Sequence, residues 1–131
     1  MHIAGGRYRP GLIVLSLAST LAVAEPLQSQ AQRVVHITAE RFSFTPSEVV
    51  LELGEEVELR LKSDDTAHGF RIAGTGINVS IPKRGRNELS VLFRPTAIGR
   101  YPFECTRMCG AGHNFMRGVL IVRERHDQPT R

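Results

Sequence analysis

The sequence predicts an all-β domain, an antiparallel β-sandwich, on three observations. Apolar and polar residues alternate with a period of two in several short segments, as in strands that bury one face. Glycine and proline separate these segments at short intervals. No segment sustains the 3.6-residue period of an amphipathic helix. Many short strands punctuated by turns are typical of a sandwich rather than of a helical or alternating α/β fold.

The same alternation predicts where each strand lies along the chain. Ile37 and Ala39, and likewise Val57, Leu59 and Leu61, each have polar or charged neighbours on both sides. Turns are predicted at 45–47 and 54–55, where proline, serine and glycine lie. The predicted strands are 35–39, 49–53, 57–61, 68–72, 77–81, 89–93, 100–104 and 119–122. The aromatic residues expected in the core are Phe42, Phe44, Phe70, Phe93 and Phe103.

Length and composition favour a single domain. The chain has 131 residues, of which 41% are hydrophobic, and this is enough to form one core. The formal net charge is +4. Tryptophan is absent, and nothing in the sequence organises the arginines into a stacking surface. We therefore expect no nucleic acid among the partners.

Residues 1–24 are predicted to be a secretory signal. Arg7 and Arg9 precede an apolar run that ends at an Ala-x-Ala cleavage pattern, whose last residue is Ala24. The run is shorter than the roughly 20 residues of a membrane span, which favours cleavage over the alternative of an uncleaved anchor. Cleavage would leave Glu25 as the first residue, lower the formal charge from +4 to +2, and place the protein in the periplasm. The predicted organisation is signal 1–24, linker 25–32, domain 33–124 and polar tail 125–131.

The segment from Cys105 to Met116 contains two thiols, an imidazole and a thioether in the spacing Cys-x3-Cys-x3-His-x2-Met. Sulfur ligands select copper, zinc or iron–sulfur over magnesium and calcium, and imidazole suits copper and zinc. A structural zinc site more often spaces its cysteines as Cys-x2-Cys and has no nearby methionine, so copper is favoured. A disulfide between Cys105 and Cys109 is the simpler alternative in an exported protein, but it has no use for the histidine and methionine.

With Asp65-x-x-His68 upstream, this motif resembles the copper domain of cytochrome c oxidase subunit II and of nitrous oxide reductase. The segment after His68 is more similar to the B-type haem–copper oxidases. The resemblance covers 34–124 and implies a Greek-key cupredoxin fold with a binuclear CuA centre, in which two thiolates bridge two copper ions. The metal ligands that it implies are His68, Cys105, Arg107 through its backbone carbonyl, Cys109, His113 and Met116.

This chain has Arg107 where the family commonly has glutamate. A carbonyl ligand survives that change, but the carboxylate that reaches a magnesium site in many oxidases does not, since arginine offers no acceptor. Asp65 is interpreted either as a turn cap or as a group that holds the ligand loop. Met108 is expected to point into the core or to cover the site. His36 and His126 are expected to be incidental.

The resemblance implies an electron carrier that is not catalytic alone. We expect electron exchange with a redox protein, a cytochrome or a small copper protein, and a terminal oxidase subunit as a further partner. Contact with a membrane is expected only through such a complex. The arginines between Arg71 and Arg125 are expected to form either a solvated face or a basic rim that guides a partner. Two other functions remain open: a periplasmic copper-binding or delivery protein with the same ligands, and a disulfide-bonded sandwich that only binds partners.

Overall fold

The alternation of apolar and polar residues gives nine strands in residues 33–126, the part of the chain that this computed structural model describes. The strands are β1 (Arg33–Glu40), β2 (Ser43–Thr45), β3 (Glu48–Glu52), β4 (Val57–Ser63), β5 (His68–Ile72), β6 (Asn78–Ile81), β7 (Leu89–Phe93), β8 (Gly99–Glu104) and β9 (Arg117–Arg123). One short 3-10 helix, His113–Phe115, lies between β8 and β9. The predicted signal and linker lie outside the described residues. Between 33 and 126 no helix is long and apolar enough to cross a membrane.

The strands form two sheets that share one core, so the predicted all-β sandwich is confirmed. The four-stranded sheet has the order β2-β1-β4-β7, and the five-stranded sheet has the order β3-β9-β8-β5-β6. The expectation of a purely antiparallel sandwich is wrong, because β1 pairs with β4 and β3 pairs with β9 in parallel. The chain passes from β2 to β3 in the other sheet before it returns to β4. A half-buried strand shows the same period-two pattern beside a parallel or an antiparallel neighbour.

The core is organised around three mutually contacting phenylalanines. The ring centroids of Phe44, Phe70 and Phe103 lie between 5.1 and 5.7 Å apart, within the range of favourable aromatic pairs. Phe93 is also buried and packs edge-on against Tyr101 at 5.5 Å. Four of the five predicted core phenylalanines are therefore confirmed.

Phe42 is the exception among the predicted core residues. Its side chain is 37% exposed, because the residue lies in the turn between β1 and β2 rather than on a strand facing the core. Its ring instead lies against the backbone of Gly110 and Gly112. The predicted core position is wrong, and the ring covers part of a loop at the edge of the sandwich.

Three neighbouring strands bring the distant motif residues to one edge of the five-stranded sheet. β5 begins at His68, β8 ends one residue before Cys105, and β9 begins one residue after Met116. β8 pairs with both β5 and β9. The strand β5 and the loop between β8 and β9 therefore present their polar and sulfur side chains to the same region.

Candidate metal centre

The loop from Cys105 to Met116 is closed at its base by a backbone hydrogen bond. The N–H of Cys105 donates to the carbonyl oxygen of Met116 at 3.1 Å, which extends the antiparallel pairing of β8 and β9 by one step. Inside the loop, the N–H of His113 donates to the Gly110 oxygen at 3.1 Å, and the Met116 N–H donates to the His113 oxygen at 3.2 Å. These turns direct side chains from both halves of the loop to its inner side.

Five sequence-predicted side chains converge in this loop and at the start of β5. The two thiol sulfurs, Cys105 Sγ and Cys109 Sγ, lie 3.9 Å apart. His68 Nδ1 lies 4.0 Å from Cys105 Sγ, and His113 Nδ1 lies 3.9 Å from Cys109 Sγ. Met116 Sδ is also 3.9 Å from Cys109 Sγ. All are buried except His113, which is half-buried, so each thiol has its own imidazole neighbour in a largely dry site.

The separation of the sulfurs fits metal binding and not a disulfide. A disulfide bond is about 2.05 Å long, whereas these sulfurs are 3.9 Å apart and both cysteines are free. A thiolate–metal bond is about 2.3 Å, taking zinc as the guide, so one ion can bond to both sulfurs without movement of the loop. Within residues 33–126, ligand atoms of His68, Cys105 and Cys109 lie within 4.8 Å of one another. This set of sulfur and nitrogen donors is of the soft type that copper prefers.

The carboxylate of Asp65 fixes the proton and the orientation of the His68 ring. Asp65 Oδ1 lies 2.7 Å from His68 Nε2. The Nε2–H donates to the carboxylate, which leaves the lone pair of Nδ1 on the side of Cys105. Burial alone would raise the pKa of Asp65, but hydrogen bonds from His68 and from the backbone of Arg41 and Thr66 lower it to about 2. The carboxylate is therefore charged at any physiological pH and holds the imidazole in place.

The thiol of Cys109 is held protonated in the absence of metal. Burial raises the pKa of Cys109 to about 11, and the adjacent Cys105 sulfur acts in the same direction. A thiolate is the form that binds metal. Metal binding to Cys109 must therefore release a proton at neutral pH.

Arg107 presents its backbone to the site and its side chain to solvent. The Cys105 thiol donates to the carbonyl oxygen of Arg107 at 3.1 Å, while the Arg107 side chain is exposed. The oxygen thus lies beside one of the two sulfurs, a position compatible with the carbonyl ligand that the resemblance implies. Met108 is 76% exposed, so the expectation that it points into the core is wrong. The preceding residue, Arg107, turns its backbone carbonyl toward the site, and the following residue, Cys109, turns its side chain toward it. The loop therefore directs the Met108 side chain outward.

Gly69 is a residue of the site that the sequence interpretation missed. Its N–H donates to Cys105 Sγ at 3.4 Å. A Cβ at this position would lie 2.7 Å from the backbone nitrogens of Thr106 and Arg107. The backbone of β5 can therefore approach the cysteine loop only because residue 69 has no side chain. Its place directly after His68 in the motif was the signal that could have identified it.

Two further residues, Arg41 and Phe42, reach the loop from the four-stranded sheet. Arg41 Nε donates to the carbonyl oxygen of Cys109 at 2.6 Å. The Phe42 ring lies against the backbone of Gly110 and Gly112. A side chain that bonds to a backbone carbonyl or packs on glycine leaves no pattern in the sequence, so neither contact could be anticipated.

A polar cleft of about 370 Å³ opens beside His113 and Met116. Arg71 and Glu104 form an ion pair on its wall, and the Arg71 hydrogen bond lowers the pKa of Glu104. Arg117 also lines the cleft. The half-buried edge of the site is therefore bordered by more positive than negative charge.

The site geometry agrees with comparisons to known proteins. Residues 13–122 match the family model of the cupredoxin-like domain. The chain is 30% identical over 106 residues to cytochrome c oxidase subunit 2 of Thermus thermophilus, which covers 77% of this chain and 77% of that protein.

Solved structures of oxidase subunits are also similar to this chain. A chain of a heme-copper terminal oxidase dimer aligns with a TM-score of 0.61 and 27% identity, over 79% of this chain and 76% of that one. The periplasmic domain of subunit II of cytochrome oxidase from Bradyrhizobium japonicum aligns with a TM-score of 0.66, over 72% of this chain and 86% of that one. Its identity of 17% means that this second likeness concerns the fold.

Proposed function

The chain belongs to the cupredoxin-like domain family as a relative of cytochrome c oxidase subunit 2, and from this we propose that it is an exported electron-transfer protein with a CuA-type pair of copper ions. The observation that carries the proposal is the pair of buried thiols, 3.9 Å apart, each with its own imidazole neighbour. A mononuclear site of the blue-copper type would use one thiolate with two imidazoles and would leave the second cysteine without a role. The paired arrangement supports two ions.

The proposed ligand roles follow from these neighbours. Cys105 and Cys109 would hold the ions as thiolates, and His68 and His113 would each bind through Nδ1, the ring nitrogen nearer to a sulfur. The Met116 sulfur and the Arg107 carbonyl oxygen complete the set. The softness of the sulfur donors supports copper over harder metals.

Bound copper supplies a one-electron redox couple, and the protein supplies a site that changes little around it. The ligand loop is tied to β8 and β9 at its base, and His68 is fixed by Asp65. Burial of the sulfurs excludes water from the ligands. A rigid, dry site reduces the rearrangement that accompanies electron transfer. We propose no bond-making or bond-breaking step on a substrate.

The proposed redox partner approaches over the ligand loop. Met108 and Phe115 lie on this loop and are 76% and 84% exposed, which is unusual for such large apolar side chains. Exposed apolar residues flanked by arginine are typical of the centre of a protein interface. The positive side chain of Arg107, exposed beside Met108, supports an acidic partner. The partner classes proposed are a cytochrome or small copper protein as donor and a terminal oxidase subunit as acceptor.

Export is proposed from residues 1–24 and from the periplasmic location stated for the subunit II domain of Bradyrhizobium japonicum. We expect the signal to be cleaved after Ala24, so that the protein begins at Glu25. Expression of the full chain and amino-terminal sequencing of the periplasmic fraction tests this directly. An intact amino terminus in the membrane fraction would instead support an uncleaved anchor.

Copper reconstitution tests the central proposal. The reduced protein without residues 1–24 should bind two copper ions per chain and turn purple. Electron paramagnetic resonance should give hyperfine splitting from one electron shared equally between two copper nuclei. A blue protein with one copper per chain would contradict the binuclear assignment.

A further inference from the structure

The turn between β1 and β2 connects the four-stranded sheet to both segments that carry the metal ligands. Arg41 Nε donates to the carbonyl oxygen of Cys109 at 2.6 Å. The backbone N–H of Arg41 donates to Asp65 Oδ2 at 2.9 Å, and the other oxygen of the same carboxylate holds His68. One residue outside the ligand set is therefore bonded directly to a cysteine ligand and, through Asp65, to a histidine ligand.

The next residue in the turn packs on the ligand loop. A Cβ at position 112 would lie 2.3 Å from the ring of Phe42, and one at position 110 would lie 2.8 Å from it. The φ of Gly112 is −90°, a conformation that any residue adopts, so the ring alone excludes a side chain there. The Phe42 ring thus packs against the backbone of the loop between Cys109 and His113.

We propose that Arg41 and Phe42 form a clamp that holds the half of the ligand loop with Cys109 and His113 in its metal-binding arrangement before copper arrives. The clamp deepens the proposed function, because it assigns two positioning residues to the same centre. A hydrogen bond from a charged guanidinium is stronger than one between neutral groups. A site held in its bound geometry loses less conformational freedom on binding, and this raises its affinity.

The first test replaces the guanidinium. Arg41→Met keeps most of the side-chain length and removes the donor to Cys109. Arg33→Met is the matched control, since Arg33, at the other end of β1, donates to the backbone oxygen of Val50 at 2.9 Å. Each variant thus loses one hydrogen bond to a carbonyl, which is part-buried at Arg41 and exposed at Arg33. The control also loses a surface ion pair between Arg33 and Glu55 at 3.8 Å, and only Arg41→Met loses its hydrogen bond at the site.

Copper(I) affinity of the reduced proteins is measured by competition with a chromophoric chelator, together with thermal unfolding of the metal-free forms. We expect similar, small shifts in unfolding temperature for both variants. We expect about a tenfold loss of copper(I) affinity for Arg41→Met alone, because a charged hydrogen bond that orders a ligand is lost. The visible spectrum of the loaded Arg41→Met protein should also shift. Equal affinities and spectra for the two variants would overturn the role of Arg41.

The second test is a double-mutant cycle between Phe42 and Gly112. In the native background, Gly112→Ala should lower copper(I) affinity by more than tenfold, because the new methyl group displaces the loop. In a Phe42→Ala background the same change should cost less than twofold, since the obstructing ring is absent. An equal loss in both backgrounds would overturn the steric role of Phe42.

The native protein, carried through the same titrations, separates this inference from the function on which it rests. If the native protein binds one copper ion, the binuclear assignment fails, while the comparison among variants still tests the clamp. If the native protein binds two ions and the variants bind them equally well, the clamp alone is wrong.

Discussion

Replacement of Asp65 by asparagine tests how strongly the orientation of a ligand depends on a group that is not itself a ligand. The carboxylate accepts from His68 Nε2 at 2.7 Å with one oxygen and from the Arg41 N–H at 2.9 Å with the other. Asparagine has the same shape but only one acceptor oxygen, and its other terminal atom is a donor. Asp65→Asn therefore leaves either the imidazole N–H or the backbone N–H without its acceptor.

Two independent estimates of the cost agree. A donor left without a partner in a partly buried site costs about 1–3 kcal/mol. The pKa of Asp65, lowered from 3.8 to about 2, corresponds to about 2 kcal/mol in favour of the charged, folded form, with allowance for the 30% of the side chain that remains exposed. Loss of a group that orients a metal-binding histidine typically lowers metal affinity about 10–100-fold.

The pH dependence of this stabilisation has a defined sign. Since the folded-state pKa of Asp65 lies below its ordinary value, the stabilisation is complete above about pH 5 and is lost as the pH falls through 2. The difference in free energy of unfolding between the native protein and Asp65→Asn should thus be about 2 kcal/mol at pH 7 and about 1 kcal/mol at pH 3.

Urea unfolding of the reduced, metal-free proteins at the two pH values measures this difference. Copper(I) competition at pH 7 measures the effect on the site. A stability difference that does not change with pH would show that the charge of Asp65 is not its source. Unchanged copper(I) affinity would show that the Asp65 hydrogen bond does not set the orientation of His68.

Four further substitutions separate the ligands from their surroundings. Cys105→Ser and Cys109→Ser should each abolish the shared-electron signal in electron paramagnetic resonance, because one sulfur cannot replace two bridges; a binuclear signal in either variant would contradict the bridging roles. Arg107→Ala should keep two copper ions per chain, as the backbone carbonyl remains, while the reduction potential falls modestly and electron transfer to an acidic partner becomes less salt-dependent; loss of copper would show that the side chain supports the loop. Gly69→Ala should lower both copper affinity and the unfolding temperature, because its Cβ would lie 2.7 Å from the backbone nitrogen of Thr106; native-like binding would show that β5 can move away at no cost.

Period-two alternation was sufficient to place most strands, and its failures have a physical cause. β2 was missed because it has three residues and only Phe44 is buried, too few to establish a period. The parallel pairing of β1 with β4 was missed because it depends on the path of the chain between the sheets. Alternation reports which face of a strand is buried and carries no information on the direction of its neighbour.

Most of the proposed metal ligands could be recognised from the sequence for a different reason. Five of the six proposed ligands lie on one loop, four of them as side chains in a recognisable spacing, and the sixth, His68, has its own motif with Asp65. Soft donors at such spacing have few structural uses other than metal binding. Arg41 bonds to a backbone carbonyl that any residue could supply, and Phe42 packs on glycines that no sequence pattern pairs with it, so neither contact could be recognised from the sequence.

The contacts around the ligand loop come from three sides, and this arrangement bears on when the site forms. β8 and β9 close the base of the loop, Gly69 and Asp65 constrain the β5 side, and the turn at Arg41 constrains the opposite side. None of these contacts requires a metal ion. Small structural zinc sites, by contrast, gain their fold when the metal binds. We therefore expect the fold to hold the proposed copper ligands in place, so that the free energy of copper binding is not needed to order the chain.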